Sequence, residues 1–388
     1  MKVITTTDHL IEACAALAQQ PFVAVDTEFM RETTFWPKLC LIQLAAPGPG
    51  PWNEMIVDPQ ARGLDLKPFF ELMADTNVVK VFHAARQDVE IVWTQAKVIP
   101  APIFDTQVAA MVCGFGESVS YVNLVKKVLN GEVDKSSRFT DWARRPLSEA
   151  QLVYALGDVT HLRAIYLHLK AELEKSGRAH WLTEEMAVLT DPRTYETHPE
   201  EAWRRLKARV KSRRALAILI ELAEWREKLA QSADVPRNRI MKDEALFDIA
   251  NQAPSDVAGL GDLRSVSHGF AKSERAREVL DAIARGKQRP IEQVPQLERN
   301  VALTPDATAI ADLLRVLLKA SAAKYGVAPK MLATTDDLEA IAMDDDADVA
   351  ALKGWRRELF GEAALALKHG RLALGVWRGE VRSVPIAG

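Results

Sequence analysis

Pro21-Phe22-Val23-Ala24-Val25-Asp26-Thr27-Glu28 decides how the first half of this chain folds. A short apolar run closed by two acids reads as a buried strand reaching the edge of a sheet. Strand side chains alternate between faces, so Asp26 and Glu28 point the same way, roughly 6.5 Å apart along the strand. Two carboxylates on one face repel unless a cation lies between them or one takes up a proton. Carboxylate oxygens are the ligands that Mg²⁺ or Mn²⁺ prefers. The same tripeptide also suits a solvated loop start, so its weight depends on what surrounds it.

Outward from that strand, the sequence alternates strands and helices. Leu39-Cys40-Leu41-Ile42-Gln43-Leu44-Ala45 reads as a second strand, followed by a Pro- and Gly-rich turn from Pro47 to Pro51. Met55-Ile56-Val57-Asp58 and Val78 to Phe82 are further strands, the latter followed by a helical pattern from Ala84 to about Gln95. Ile103-Phe104-Asp105-Thr106 opens another element, with helix through Met111 and Asp105 placed as a cap. Ser148 with Gln151 three residues later is a capping box. It predicts a long helix with Val153, Leu156, Val159 and Leu162 at helical spacing. Early strands followed by βα units imply a mixed sheet flanked by helices. Beyond a polar, proline-bracketed segment from Thr190 to Pro199 the β signal fades. Helices are predicted over residues 203–232, 243–251, 274–285, 306–325, 336–343 and 355–368. Within them Asn238 to Leu246 echoes Pro329 to Leu338, as two copies of one small helical module would.

Two further motifs join the acid pair. His83-Ala84-Ala85-Arg86-Gln87-Asp88 places Asp88 in the first helical turn after a strand, where an acid also complements the helix dipole. Tyr154-Ala155-Leu156-Gly157-Asp158 sets a hydroxyl and a carboxylate on one helix face, about one turn apart. In this order Asp26, Glu28, Asp88 and Asp158 resemble the DEDD exonuclease superfamily, in the branch that carries Tyr rather than His four residues before the last Asp. Asp26 to Pro37, His83 to Asp88, and Asp141-Trp142-Ala143-Arg144-Arg145-Pro146-Leu147-Ser148 are similar to the ribonuclease D family. Pro236-Arg237-Asn238-Arg239-Ile240 is similar to the helicase-and-ribonuclease-D C-terminal (HRDC) module.

The resemblance implies a ribonuclease H-like α/β exonuclease domain over residues 1–190 and a linker over 191–203. It further implies two small all-α domains over 204–288 and 300–385, the second a diverged HRDC-like copy. It implies a 3′→5′ exoribonuclease releasing nucleoside monophosphates, with two divalent cations (Mg²⁺ or Mn²⁺) held by Asp26, Glu28, Asp88 and Asp158. Tyr154 would hold the attacking water; acting as a base would require a large shift from a pKa of about 10. Thr27 and His83 are candidate contacts to the terminal nucleotide, and Phe29, Phe35 and Trp36 could stack on bases. Arg145 is a candidate phosphate contact. Stable RNAs, tRNA precursors foremost, are the implied substrates. A DNA exonuclease with the same acids is the rival, since only a contact to the 2′-OH would separate the two. A catalytically dead binding scaffold is disfavoured by the intact set of four acids and Tyr154.

The chain as a whole sets the limits. Its 388 residues, 48% hydrophobic and 27% charged, suffice for two or three ordinary globular domains. Three scattered cysteines fit reduced thiols in a cytoplasmic protein. No apolar run of spanning length and no signal pattern is seen, so neither a membrane nor an obligatory protein partner is expected. The net charge of −3 is small. Against it stands one basic run, Arg204, Arg205, Lys207, Arg209, Lys211, Arg213 and Arg214. Such a run is either a solvated helix face or a track for phosphates; Arg204, Arg205, Arg209 and Arg213 are the candidate phosphate contacts.

Overall fold

Six strands make one mixed sheet in the computed structural model, which describes residues 2–134, 137, 140–207, 210–296 and 303–386. They are β1 (Val3–Ile4), β2 (Phe22–Met30), β3 (Lys38–Ala45), β4 (Glu54–Val57), β5 (Val79–Phe82) and β6 (Ile103–Asp105), in the spatial order β1-β4-β3-β2-β5-β6. β2 runs parallel to β5, with Phe22 opposite Val79, and β5 parallel to β6; β3 and β4 are antiparallel. The central strands are buried on both faces, which explains their unbroken apolar runs. The expected mixed sheet flanked by helices is what the chain forms.

Helices α1 (Thr7–Leu17), α2 (Lys67–Ala74), α3 (Arg86–Ala96), α4 (Thr106–Val112), α5 (Tyr121–Leu129), α6 (Glu149–Ser176) and α7 (Ala179–Thr190) accompany the sheet. α6 opens on the expected capping box of Ser148 and Gln151 and closes on Gly177 in the left-handed conformation. Its core face carries Ala155, Val159, Leu162, Ile165 and Leu169, whereas Val153, expected in that row, is exposed. Arg163 of α6 pairs with Glu54 of β4 and donates to the Ala46 carbonyl.

Residues 1–28, 40–194 and 301–388 form one compact unit, and residues 29–39 with 195–300 form another. The second unit is built on α8 (Arg213–Ser232), followed by α9 (Arg237–Ile240), α10 (Asp243–Gln252), α11 (Val257–Gly261), α12 (His268–Ala271) and α13 (Arg275–Gln288). Its core takes in Phe35, with Leu216, Leu219, Ala223, Leu246 and Ile283. The last segment, 301–388, adds α14 (Pro305–Tyr325), α15 (Pro329–Leu332), α16 (Thr335–Met343), α17 (Gly354–Arg356) and α18 (Glu362–Lys368) to the first unit. The echo seen in the sequence has a structural counterpart: a four-residue helix, a two-residue break and a longer helix occur as α9–α10 and again as α15–α16.

Within the first unit the C-terminal segment is closely applied. A Cβ on Gly114, just past α4, would lie 2.5 Å from the Gly326 carbonyl oxygen at the end of α14. Arg178 donates to the carbonyls of Val112, Tyr325 and Gly326, and Trp181 stacks on Trp355 at 4.5 Å. The expectation that β structure ends with the first half is corrected by an antiparallel hairpin, β7 (Leu372–Trp377) and β8 (Glu380–Pro385). Among the described residues no helix is long and apolar enough to cross a membrane.

Candidate active site

β2 delivers Asp26 and Glu28 to one side of its end, and α6 brings Asp158 to meet them. Carboxylate oxygens of these three residues lie within 4.8 Å of one another. Asp88, in the first turn of α3, completes the acidic set. It is 6% exposed, feels the charge of Asp26, and accepts a short hydrogen bond from the Thr27 hydroxyl. Burial, then the charge of Asp158, holds the Asp26 carboxyl far above the ordinary carboxylate range. Burial and the neighbouring acids push Glu28 up to about 9. Asp88 is likewise held far above the ordinary range, chiefly by burial and then by Asp26. Asp158 rises to about 7 by burial, opposed by a hydrogen bond from the Tyr154 hydroxyl. Acids packed this way hold their protons unless a cation compensates them. An all-carboxylate donor set fits hard divalent ions such as Mg²⁺ or Mn²⁺.

The turn that aims Asp88 is fixed from β6. Ala84 takes a left-handed conformation, φ 61°, which a non-glycine residue adopts only when held there. Asp105 Oδ1 accepts from the Ala84 N–H at 3.0 Å and Oδ2 from the Ala85 N–H at 2.8 Å. The same Oδ1 caps α4 through the Gln107 and Val108 N–H groups. The cap expected of Asp105 is therefore only half of its role. Thr106 donates its hydroxyl to the Phe82 carbonyl, so the 3.0 Å contact from His83 is an Nδ1–H donated to that hydroxyl. Burial lowers the His83 pKa, leaving a neutral ring.

Tyr121, which no motif singles out, belongs to the same neighbourhood. Its hydroxyl donates to the Gly157 carbonyl at 2.9 Å, and its ring lies 5.5 Å from that of His83. Burial, then the charges of Asp158 and Asp26, drives its pKa up, so the hydroxyl remains a donor.

Several expected substrate contacts are otherwise engaged. Thr27 is 7% exposed and its hydroxyl serves Asp88. Arg145 forms a fork on Asp58 at 2.7 and 2.8 Å and donates to the carbonyls of Cys40, Trp142 and Arg144, which uses all five of its N–H groups. Phe35 is 4% exposed and packs in the second unit's core with Trp36 edge-on at 4.7 Å. Phe29 is half-buried on β2.

The basic run is not the single helix face that a 203–232 helix would make. A 3₁₀ segment, Pro199–Arg205, is separated from α8 by residues 206–212. Arg204 is exposed beside Glu201, and Arg205 pairs with Glu227 at 2.6 Å. Arg213 donates to the Ile291 and Val294 carbonyls, and Arg214 to those of Gly286 and Arg289. Arg209 lies outside the described residues.

Residues 1–174 match a 3′-5′ exonuclease family model and residues 215–283 an HRDC domain. The chain is 54% identical to ribonuclease D of Nitrobacter hamburgensis over 98% of both chains. It is 49% identical to ribonuclease D of Jannaschia sp. over 99% of both. The chain belongs to the ribonuclease D family. Among solved structures, Escherichia coli RNase D, described as an exoribonuclease involved in structured RNA processing, superposes with a TM-score of 0.82. That match has 28% identity over 95% of this chain and 98% of the other. As a ribonuclease D, the enzyme is an exoribonuclease, and the DNA-directed alternative is disfavoured.

Proposed function

We propose that the enzyme releases nucleoside monophosphates one at a time from the 3′ ends of stable RNAs, tRNA precursors foremost, using two divalent cations. Asp26, Glu28, Asp88 and Asp158 would hold the ions. The observation that carries this reading is the meeting of Asp26, Glu28 and Asp158 oxygens within 4.8 Å, with Asp88 close enough to feel the charge of Asp26. Bound there, two ions supply charge stabilisation for the attacking and leaving oxygens of an in-line displacement.

The chain's own residues prepare that chemistry. The four acids must shed protons that burial makes them keep, so ion binding and deprotonation are one event. Tyr154, by donating to Asp158, favours the ionised carboxylate and thereby the ion-binding form. The same hydroxyl is placed to orient the attacking water. Asp105 and Thr106 hold the Ala84–Ala85 turn and so the aim of Asp88. The preference for structured, stable RNA rests on the E. coli relative's described role. A cytoplasmic location is supported by its three cysteines, none of which forms a disulfide, and of which burial pushes Cys14 up to about 12 and Cys113 up to about 11.

The test is a labelled tRNA precursor with a 3′ extension beside a DNA of matching sequence, each with Mg²⁺ and then with EDTA. Stepwise 3′ shortening of the RNA alone, abolished by EDTA and by Asp26→Ala, is the expected outcome. Equal cleavage of the DNA, or an Asp26→Ala enzyme with near-normal rates, would overturn the reading.

A further inference from the structure

We infer that Arg145 is a positioning residue for the reaction, which through Trp142 holds the Tyr154 ring where its hydroxyl serves the attacking water. Arg145 stands in the segment between α5 and α6, three residues ahead of the Ser148 cap. Nε and Nη2 form the fork on Asp58, and Nη2 also donates to the Cys40 carbonyl at 2.8 Å. Nη1 donates to the Trp142 and Arg144 carbonyls at 2.8 and 2.9 Å. Both distant anchors belong to the sheet. Cys40 lies on β3, and Asp58, one residue past β4, donates its N–H to the Ile4 carbonyl of β1 at 2.9 Å. One guanidinium thus ties the Trp142 backbone to the sheet. The Trp142 side chain is 3% exposed, and its ring lies 6.0 Å from the Tyr154 ring, tilted by 35°. The Gln151 amide donates to the Thr140 hydroxyl at 2.9 Å, which fastens the same segment to the start of α6.

Aim is what Tyr154 needs from its surroundings. A phenol on the second turn of a helix turns about two side-chain torsions, and its hydroxyl is useful only beside Asp158, one turn ahead. A buried indole packed against the ring narrows that choice, because aromatic rings at this spacing and tilt attract each other. Such a wall is only as firm as its backbone, and residues 141–147 lie in neither helix nor strand. Arg145 supplies the firmness. An ion pair needs one fork, yet this guanidinium uses its three remaining N–H groups on carbonyls of β3 and of the Trp142 segment itself. With all five engaged, none is left for a phosphate. The clamp bears on the rate only because Tyr154 orients the attacking water, so it rests on that reading.

The test is a double-mutant cycle on single-turnover cleavage of a labelled single-stranded RNA by the full-length protein. Arg145→Lys, which keeps the charge but loses the fork, and Trp142→Leu are each made in wild type and in Tyr154→Phe. In wild type each should slow the step by roughly 10- to 100-fold, the usual cost of a slight misplacement. RNA affinity, its salt dependence and Mg²⁺ affinity should not change, and Trp142→Phe should keep most of the rate. In the Tyr154→Phe background the same changes should cost less than about twofold. A loss of folded enzyme would reduce both backgrounds alike, whereas a loss of aim vanishes once the hydroxyl is gone. If Arg145→Lys melts early, Asp58→Asn, which keeps the shape and loosens the fork, takes its place in the cycle. Equal losses in both backgrounds, or a folded Trp142→Leu enzyme at the wild-type rate, would overturn the inference. So would weaker RNA binding with a flatter salt slope in Arg145→Gln, the signature of a phosphate contact. A Tyr154→Phe enzyme as fast as wild type would fail the Tyr154 reading itself and take the clamp's catalytic role with it. Equal losses on top of a slow Tyr154→Phe enzyme would leave that reading standing and remove the clamp alone.

Discussion

The Tyr154 hydroxyl is a single oxygen with two consequences, and Tyr154→Phe removes it without changing shape. Losing the donor to Asp158 takes away an interaction that favours the carboxylate, so the Asp158 pKa should rise from its value of about 7. Single-turnover cleavage should fall by roughly 10²–10⁴, the usual range for a group that positions a proton in flight. The acidic limb of the pH–rate profile should move to higher pH as well. A Phe variant within a few-fold of wild type, with an unmoved limb, would take Tyr154 out of the mechanism. Asp105 makes a second prediction at this scale. Four backbone N–H groups, from Ala84, Ala85, Gln107 and Val108, depend on its two oxygens. Asp105→Ala leaves them unsatisfied at about 1–3 kcal/mol for each buried group, enough to unfold a marginal domain. Asp105→Asn keeps the oxygen that serves three of them and should cost much less. Urea unfolding of the two variants measures the difference. The helix-capping half of this role was legible, because an Asp before a helical pattern is a local signal. Its grip on Ala84 and Ala85 was not, since that contact spans about twenty residues of sequence and leaves no trace in spacing.

Elements were legible where local chemistry and burial agree. β2 announces itself because both its faces are buried, and α6 because Ser148 and Gln151 cap a periodic stretch. The C-terminal hairpin was hidden for the opposite reason. Leu372 to Trp377 is a continuous apolar run with no alternation, and Val376 and Trp377 are exposed, so period 2 never shows. Its turn is Arg378-Gly379, with both residues at positive φ, and the sequence lacks the Asn-Gly or Asp-Gly that usually marks such a turn. The basic run misled in another way. Side-chain charge read as a solvent-facing property, yet Arg213 and Arg214 serve as staples for the end of α13 and the segment beyond it. Arg213→Gln should therefore behave as an element-level defect. It uncaps the Ile291 and Val294 carbonyls and should lower stability by about 1–3 kcal/mol while leaving the salt dependence of RNA binding as in wild type. Thermal melting beside a salt titration distinguishes this from a lost phosphate contact, which would flatten the slope and spare the fold.

At the scale of the whole molecule, the acidic site makes folding, pH and metal one equilibrium. Glu28 and Asp158 hold protons in the native state up to about 9 and about 7, against ordinary values of 4.5 and 3.8 once the chain unfolds. Asp26 and Asp88 shift in the same direction. A native state that binds more protons than the unfolded one loses stability as pH rises, because stability climbs with pH only where the unfolded chain binds more. For these groups the metal-free protein should be most stable at or below about pH 4 and should weaken progressively through pH 7 and toward pH 9. Burial would raise the Glu227 carboxyl, but Arg237 and Arg205 hold it below its ordinary range, so its protonation in acid opposes this at the low end and places the metal-free optimum in the mildly acidic range. Mg²⁺ reverses the slope. It binds the ionised acids of the native state only, so the stabilisation it gives should grow from pH 6 to pH 9 and should be accompanied by proton release. Melting curves in EDTA and in excess Mg²⁺ across that range, with calorimetric titration in two buffers of different ionisation enthalpy, measure both effects. Asp158→Asn removes one of the perturbed acids and should flatten the EDTA curve while abolishing most of the Mg²⁺ gain. A metal-free protein whose stability rises steadily from pH 6 to pH 9 would show that the four acids do not form one buried, proton-holding cluster.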